Sequence, residues 1–313
     1  MKMLGLRSWM IGTLALIISL STLFFTVVLT YVGSFDIFSL VILVVGFNLV
    51  QWLFSPYLID AMYKVKEAST SSYTNLQDVV ERLSNRSNIN TPRLMIADLP
   101  IPNAFAYGSP IAGTRIAVTN GLLSTLEDEE VEAVIGHELG HLKHKDMQIM
   151  MFASILPAIC YYIGFSLMYS SRYRDENRSS GTALIGLMSI LLYWVLTLLS
   201  LKLSRLREFY ADRHSISVVE DGGRKLSEAL AKIVTSTSKM RKTVRIGGNS
   251  SLKTLFITDP DQSTKEVRYF TKTDQELVAE ILSRKPVPYS SFLELFSTHP
   301  NIVKRLKALQ ELQ

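Results

Sequence analysis

The stretch HELGHLKHKDMQIMMFASILPAICYYIGFSLMYSS, residues 137–171, joins two different signals. It begins with the pattern His-Glu-x-x-His, and from residue 147 to residue 171 it contains no formal charge. A helix needs about 20 apolar residues to cross the hydrocarbon core of a bilayer. The helical pattern runs from Asp128 through Met150, so the sequence predicts a polar helix that continues into a membrane span.

Three further charge-free stretches are long enough to span a bilayer, at residues 8–35, 37–59 and 179–201. The sequence therefore predicts four transmembrane helices, over about 9–33, 37–59, 147–171 and 179–201. A cleaved signal peptide is the alternative for the first stretch, but its length exceeds the apolar run of about 7–15 residues found in such peptides. We therefore expect an uncleaved anchor helix there.

The composition excludes several classes of protein. The 313 residues are 48% hydrophobic and 19% charged, whereas soluble domains carry about 25% charged residues, which argues against disorder. Cys160 is the single cysteine, so an internal disulfide framework and a zinc site built from several cysteines are excluded. The net charge of +5 comes from basic residues at span ends. We expect a lipid bilayer as partner, and no nucleic acid.

The distribution of lysine and arginine predicts the orientation, because these residues are enriched in cytoplasmic loops. With the N-terminus inside, the inner flanks carry Lys2, Arg7, Lys64, Lys66, Lys143, Lys145, Lys202, Arg205 and Arg207, and the outer loops carry Arg172, Arg174 and Arg178. This asymmetry predicts a multi-pass protein of the cell membrane. Both termini and both large polar segments are expected on the cytoplasmic side.

The spans divide the chain into four predicted regions, which are a transmembrane hairpin (1–60), a polar part with the His-Glu-x-x-His helix (61–146), a second hairpin (147–201) and a second polar part (202–313). The first polar part contains a helical pattern over 73–84 and β-type runs at Arg93–Ala97, Ala104–Tyr107 and Arg115–Thr119. Glycine and proline between the last two runs favour a hairpin. In the second polar part the sequence predicts helices over 204–215, 225–240 and 300–312.

The His-Glu-x-x-His pattern is typical of a zinc site. On a helix His137 and His141 share a face, so both imidazoles can hold one metal ion. Glu138 is then placed to take a proton from a water molecule beside the metal. An exposed helix face with two unrelated histidines is the alternative.

A third zinc ligand has to come from elsewhere, because position 147, where some zinc proteases carry a third histidine, is Met. The candidates are Glu208, Asp212 and His214, which follow the fourth span. A helical hairpin of matched length returns them to the depth of His141. An ordinary solvated face paired with Arg205 and Arg207 is the other interpretation of these acids.

The chain resembles the HtpX membrane metalloproteases, which are relatives of the CAAX prenyl endoproteases. The matching residues span about 90–310 and comprise 102–108 (PNAFAYG), 116–123 (IAVTNGLL), 137–141 (HELGH), 208–212 (EFYAD), 298–300 (THP) and Arg305. The resemblance implies Glu208 as third zinc ligand, Glu138 as base and Asp212 as a group that orients a ligand. It also implies a gluzincin-type cytosolic domain and quality-control cleavage of membrane proteins. Residues 241–296 match no family pattern.

Further residues are candidates for binding or for stabilising the oxyanion of the transition state. His299, Arg305 and Tyr210 offer hydrogen-bond donors, although His299 can equally be a helix-start residue that packs. An edge strand at Arg115–Thr119 would offer its backbone to an extended substrate. The predicted substrate-binding residues near that strand are Asn103, Ala104, Ile116, Ala117 and Val118. A purely structural hairpin is the alternative, and His144 is expected to be an interfacial residue.

The sequence thus predicts an α+β, mostly α, integral membrane protein with four transmembrane helices and a cytosolic zincin-like domain containing a small β-hairpin or sheet. The expected function is zinc-dependent endopeptidase cleavage of membrane or misfolded proteins in a stress response. One Zn²⁺ per subunit is expected as cofactor, and polypeptides as substrates. The alternative is an inactive metal-binding membrane scaffold of the same fold.

Overall fold

A computed structural model of the protein describes residues 37–69, 72–170, 179–243, 273–283 and 294–312. The predicted first span and most of residues 241–296 lie outside these ranges. The chain divides into two compact units. The first contains the described residues up to Trp52 together with Gln148–Ser200, and the second contains Leu53–Met147 and the described residues from Leu201 onward.

The described part of the chain is mostly helical, with one small sheet, which confirms the mixed fold predicted from the sequence. Its helices are α1 (Ile37–Tyr63), α2 (Thr74–Ser87), α3 (Asn120–Thr125), α4 (Asp128–Lys143), α5 (Asp146–Ser170), α6 (Ser179–Val218), α7 (Gly222–Thr243), α8 (Asp274–Ser283) and α9 (Ile302–Glu311). Its strands are β1 (Val65–Glu67), β2 (Arg93–Ala97), β3 (Ala104–Ser109) and β4 (Gly113–Thr119).

Three of the described helices are long and apolar enough to cross a membrane, within Val41–Tyr63, Asp146–Met168 and Ala183–Val218. In the first unit α5 and α6 pack closely, because a Cβ on Gly164 would lie 2.8 Å from the carbonyl oxygen of Gly186. The Tyr161 and Tyr193 rings also meet, at 5.3 Å between centroids. Many apolar side chains of these helices stay exposed, as expected of surfaces that face lipid.

The helix that carries the His-Glu-x-x-His pattern does not continue into the next helix, so the prediction of one unbroken helix is wrong. α4 ends at Lys143, and Lys145 has a positive φ of 54° before α5 begins at Asp146. The start of α4 follows its sequence, since Glu127 and Glu130 form a capping box and three acids occupy the first turn. The break turns Asp146 back towards the end of α4.

The sheet has the strand order β1-β2-β4-β3 within the described residues. β3 and β4 pair antiparallel, which confirms the predicted hairpin, whereas β2 and β4 pair parallel. β4 is therefore an interior strand, and the prediction that Arg115–Thr119 forms an edge is wrong. Ile116, Ala117 and Val118 are fully buried and have neighbours on both sides. The edge strand of this hairpin is β3, which begins at Ala104.

α4 lies in the middle of the second unit, where its apolar side chains join the core beneath the sheet. Leu83, Ile116, Ile135, Leu139 and Leu306 are among its fully buried members. Two glycines bring α4 unusually close to α6. A Cβ on Gly140 would lie 2.9 Å from Cα of Ala211, and one on Gly136 would lie 3.1 Å from Oγ of Ser215. The Ser215 hydroxyl donates to the carbonyl oxygen of Ala133 at 2.7 Å, which joins the two helices.

Replacing Gly140 with alanine is predicted to push α4 and α6 apart, because the obstructing atom belongs to backbone. Overpacking costs about 1–3 kcal/mol, against about 1 kcal/mol gained in helix propensity. We expect a lower thermal unfolding midpoint in detergent and weaker metal binding. Gly46→Ala is the matched control, because no atom lies within 4 Å of its added Cβ. Equal stability and metal affinity in Gly140→Ala and the wild type would contradict the close-packing argument.

Candidate metal centre

Two imidazoles of α4 face each other at the centre of the site. Nε2 of His137 lies 3.2 Å from Nε2 of His141, and the rings meet edge-on with centroids 4.8 Å apart. His137 is completely buried, and His141 is partly exposed. The four-residue spacing on one helical face produces this convergence, as the sequence predicts.

Each imidazole has a carboxylate behind it. Nδ1 of His137 lies 2.9 Å from Oδ1 of Asp212, and Nδ1 of His141 lies 2.6 Å from Oδ2 of Asp146. A carboxylate only accepts hydrogen bonds, so each Nδ1 is assigned the proton. Each Nε2 then directs a lone pair towards the centre of the site. This is the arrangement by which proteins orient histidine ligands of metals.

Glu208 of α6 supplies the third group at the centre. Its Oε1 lies 3.7 Å from Nε2 of His141, and its Oε2 lies 3.8 Å from Nε2 of His137. A tetrahedral zinc ion with bonds of about 2.0–2.1 Å separates its ligand atoms by about 3.4 Å. Two lone pairs and a carboxylate thus converge at distances that suit one cation. Among the described residues, the three side chains fit a His₂–carboxylate zinc site.

The Glu208 carboxylate is held from behind by His299 and Arg305. Nδ1 of His299 lies 3.2 Å from its Oε1, and Nη1 of Arg305 lies 3.0 Å from its Oε2. Arg305 is completely buried and also pairs with Asp212, its Nε donating to Oδ2 at 2.9 Å. Burial alone would lower the pKa of Arg305, but the Asp212 and Glu208 carboxylates raise it above the usual value. Arg305 therefore stays charged and fixes both acids.

The segment before α9 is positioned by the part of α6 that directly follows its apolar stretch. Ser204 donates to the carbonyl oxygen of Thr298 at 2.9 Å, and Arg205 donates to that of Ser297 at 2.7 Å. Asn301 then caps α9 by accepting from the backbone N–H of Val303 at 2.9 Å. These contacts place His299 beside Glu208. They also show that Arg205 binds backbone carbonyls rather than the nearby acids of α6.

Glu138 is buried beside the metal-ligand candidates and points to the sheet. The ligand atoms of His137, Glu138 and His141 all lie within 4.8 Å of one another. Its Oε2 accepts from the backbone N–H of Ala106 at 2.8 Å. The carboxylate of Glu138 therefore lies between the two imidazoles and the edge strand β3.

Three further predicted residues, Asn103, Ala104 and Tyr210, lie outside the cluster of metal-ligand candidates. Asn103 and Ala104 lie buried at the start of β3, where the backbone N–H of Asn103 donates to Oγ1 of Thr119 at 2.9 Å. Tyr210 does not face the cluster, because it lies on the opposite side of α6 from Glu208, is 63% exposed and packs edge-on to His144.

His214 also turns away from the site, and its Nε2 lies 2.9 Å from Oγ of Ser87. His144 packs beside it, with ring centroids 5.9 Å apart. Burial, followed by the charge of Arg207, lowers the pKa of His144. Of the three candidates for third ligand, only Glu208 faces both imidazoles.

Sequence reasoning missed Asp146 and Arg207. Arg207 of α6 pairs with Oδ1 of Asp146, whose other oxygen holds His141. The available signal was an acid five residues after His141, at the start of a span where a charge is otherwise costly. The site therefore contains two parallel chains of contacts, Arg305–Asp212–His137 and Arg207–Asp146–His141.

Comparisons with known proteins point to one family. The family model described as "Peptidase family M48" matches residues 71–313. A "Protease HtpX homolog" from Thermoplasma acidophilum is 38% identical over 272 residues, which cover 85% of this chain and 82% of that protein. One from Aeropyrum pernix is 36% identical over 286 residues, covering 90% and 88%.

A solved structure has a similar fold. Ste24p from S. mikatae superposes with a TM-score of 0.56 at 18% sequence identity, and the match covers 97% of this chain. This chain spans 66% of the length of that protein, and at 18% identity the likeness concerns the fold alone.

Replacing Asp146 with asparagine is predicted to weaken zinc binding about 10–100-fold, because the orienting charge behind His141 and the pair with Arg207 are both lost. Competition with a fluorescent chelator measures the affinity without using activity. Asp128→Asn is the matched control, since Asp128 is likewise the first residue of a helix but is exposed. Equal affinities in the two variants would show that Asp146 acts only as a helix-start residue.

Replacing Arg305 with methionine is predicted to destabilise the second unit, because it leaves the buried Asp212 and Glu208 carboxylates without their cation. Breaking a buried pair in this way costs about 3–5 kcal/mol. Chemical denaturation in detergent measures the loss. Lys307→Met, at an exposed position of the same helix, should leave stability nearly unchanged. If Arg305→Met lowers the free energy of unfolding by no more than Lys307→Met does, Arg305 does not stabilise the two buried carboxylates.

Proposed function

The chain belongs to peptidase family M48 and is an HtpX-type membrane metalloprotease, and from this premise we propose that it is a zinc-dependent endopeptidase of the cytosolic membrane face. Its proposed substrates are membrane or misfolded proteins, which it cleaves as part of a stress response. The observation that carries the proposal is the convergence of His137, His141 and Glu208 beside Glu138. One zinc ion per subunit is proposed at this point.

The side chains of the site have distinct proposed roles. Zinc bound by the two imidazoles and Glu208 would act as a Lewis acid and lower the pKa of an adjacent water molecule. Glu138 takes a proton from the attacking water on its carboxylate and later delivers it to the leaving nitrogen. The N–H of Ala106 holds this carboxylate in place at 2.8 Å.

The carboxylates and cations behind the ligands are proposed to keep the centre rigid. Asp212 and Asp146 hold the two imidazoles in the tautomer that presents Nε2. His299 and Arg305 orient Glu208 through the contacts at 3.2 Å and 3.0 Å. His299 is partly accessible beside the centre, so it is also the candidate donor to the oxyanion of the transition state.

The proposed substrate site is the edge strand β3 rather than β4. β3 ends the sheet in the described part of the chain, and its middle residue Ala106 contacts the proposed base. An extended polypeptide that adds to this edge is held by main-chain hydrogen bonds, which tolerate varied side chains. Asn103 and Ala104 fix the start of the strand through their contacts with β4.

The proposed topology retains four spans, with the divisions near residues 60, 146 and 201 and both polar parts in the cytosol. It is supported by the nine basic residues that flank the inner span ends, against three in the outer loops. It is also supported by the three long apolar helices within residues 37–63, 146–170 and 179–218.

Replacing Glu138 with glutamine is predicted to preserve zinc binding and to reduce turnover by about 10²–10⁴-fold, because the amide cannot take the proton. Zinc content and casein cleavage by the purified full-length protein measure the two effects. Glu129→Gln, in the first turn of the same helix, is the matched control and should retain activity. Undiminished cleavage by Glu138→Gln would contradict the mechanism.

Replacing Glu208 with alanine is the companion experiment, and it should remove zinc as well as activity. Zinc retained at wild-type affinity in this variant would exclude Glu208 as a ligand. A wild-type protein that binds one zinc ion but cleaves neither casein nor a membrane protein would instead favour the inactive scaffold.

A further inference from the structure

The tip of the β3–β4 hairpin is an exposed, uncharged turn. Residues 110–114 read Pro-Ile-Ala-Gly-Thr, and Ile111 is 58% exposed. A single exposed apolar side chain is normal on a protein surface and does not by itself indicate that the tip is covered. The contacts of the hairpin with α1 are needed to identify what the tip faces.

Two hydrogen bonds join the hairpin to α1 and define its direction. The Tyr107 hydroxyl donates to Oδ1 of Asp60 at 2.6 Å, and the Ser109 hydroxyl donates to the carbonyl oxygen of Leu53 at 2.8 Å. Moving two residues towards the tip therefore moves the contact seven residues back along α1, which is about 10 Å of helix. The hairpin therefore runs along α1 from Asp60 to Leu53.

The contact at Leu53 lies within the apolar part of α1. Leu53 is six residues before the end of the charge-free stretch at residue 59, and Phe54 and Leu58 beside it are exposed. The Ser109 hydroxyl therefore donates to a backbone carbonyl within the apolar part of α1.

The charged groups at this end of α1 are shielded as a bilayer interface requires. Arg115 is buried, pairs with Asp60 and lies under the Tyr57 and Tyr107 rings at 5.5 Å and 5.9 Å. Arg93, at the base of β2, donates to the carbonyl oxygen of Ala112 in the turn. An apolar tip beside a membrane helix, with Arg115 paired to Asp60 and the exposed Arg93 able to reach lipid headgroups, suits the boundary between headgroups and acyl chains.

We propose that the β3–β4 hairpin tip, with Ile111 at its apex, inserts into the lipid bilayer alongside α1. The occupant is lipid, because Ser109 beside the tip contacts α1 at Leu53, where the neighbouring Phe54 and Leu58 are apolar and exposed. Ala106 lies three residues from Ser109 along β3, which is about 10 Å of strand. The edge strand that contacts Glu138 thus has its Ser109 end at the membrane surface, where a polypeptide leaving the bilayer would meet it.

The position of the tip is measured with nitroxide labels on the full chain in phosphatidylcholine–phosphatidylglycerol bilayers. In a Cys160→Ser background, cysteines at Ile111, Phe47 and Glu220 are labelled one at a time. Phe47 is exposed in the middle of α1, and Glu220 follows α6, whose charged part carries it about 26 Å from the predicted span end.

Comparison of collision rates with oxygen and with a water-soluble nickel complex gives the depth of each label. We expect the preference for oxygen to be highest at Phe47 and to be severalfold higher at Ile111 than at Glu220. A label at Ile111 that behaves like Glu220 overturns the proposal, and so does an aqueous reading at Phe47. Because the measurement reads depth and not cleavage, its failure is distinct from failure of the protease proposal.

The consequence for substrates rests on the proposed function and has its own test. Ile111→Asp should lower the turnover of a bilayer-anchored peptide and leave kcat/KM unchanged for a soluble peptide of the same sequence. Ile111→Leu should restore cleavage of the anchored peptide. Equal losses on both peptides would show that the tip supports the fold of β3 and not its contact with lipid.

Discussion

Mutual repulsion of three electron-rich groups is the constraint on which the second unit depends. Two imidazole nitrogens and the Glu208 carboxylate face one another at 3.2–3.8 Å. Such an arrangement is unfavourable in a buried site unless a cation lies between the groups and other groups hold them from behind. The surrounding network supplies that hold, with Asp212 and Asp146 behind the imidazoles and Arg305 behind Glu208. Many of the buried polar side chains of this unit thus hold the three metal-ligand candidates in place.

The backbone has to bring two helices unusually close for these groups to meet. His141 and Glu208 are separated by 67 positions in sequence, and the intervening chain contains α5 and the apolar part of α6. Gly140 within the motif removes the side chain that would collide with Ala211. A glycine that weakens an isolated helix by about 1 kcal/mol is therefore retained for the distance it permits between α4 and α6.

The sequence predicts what depends on local spacing. The convergence of His137 and His141, the membrane helices and the β3–β4 hairpin all follow from periodicity or from turn residues. The resemblance to HtpX, and not the spacing, singled out Glu208 among three candidates. The interior position of β4 depends on a strand distant in sequence, and the contact of Asp146 with His141 depends on a local break in the helix. β4 becomes interior through its parallel pairing with β2, and Asp146 reaches His141 only because Lys145 breaks the helix with a positive φ. The spacing of apolar residues predicts neither the parallel strand pairing nor the positive φ of Lys145.

The charges of the buried centre explain why a divalent cation suits it. Glu138, Asp146, Glu208 and Asp212 contribute four negative charges, while Arg207 and Arg305 contribute two positive ones. Metal ligation through Nε2 requires both imidazoles to be neutral, and these six side chains then leave two uncompensated negative charges. A buried site favours neutrality, because unpaired charge in a medium of low dielectric constant is costly. One Zn²⁺ balances the set, whereas a monovalent ion leaves a negative charge. The two arginines would therefore influence which ion the site favours.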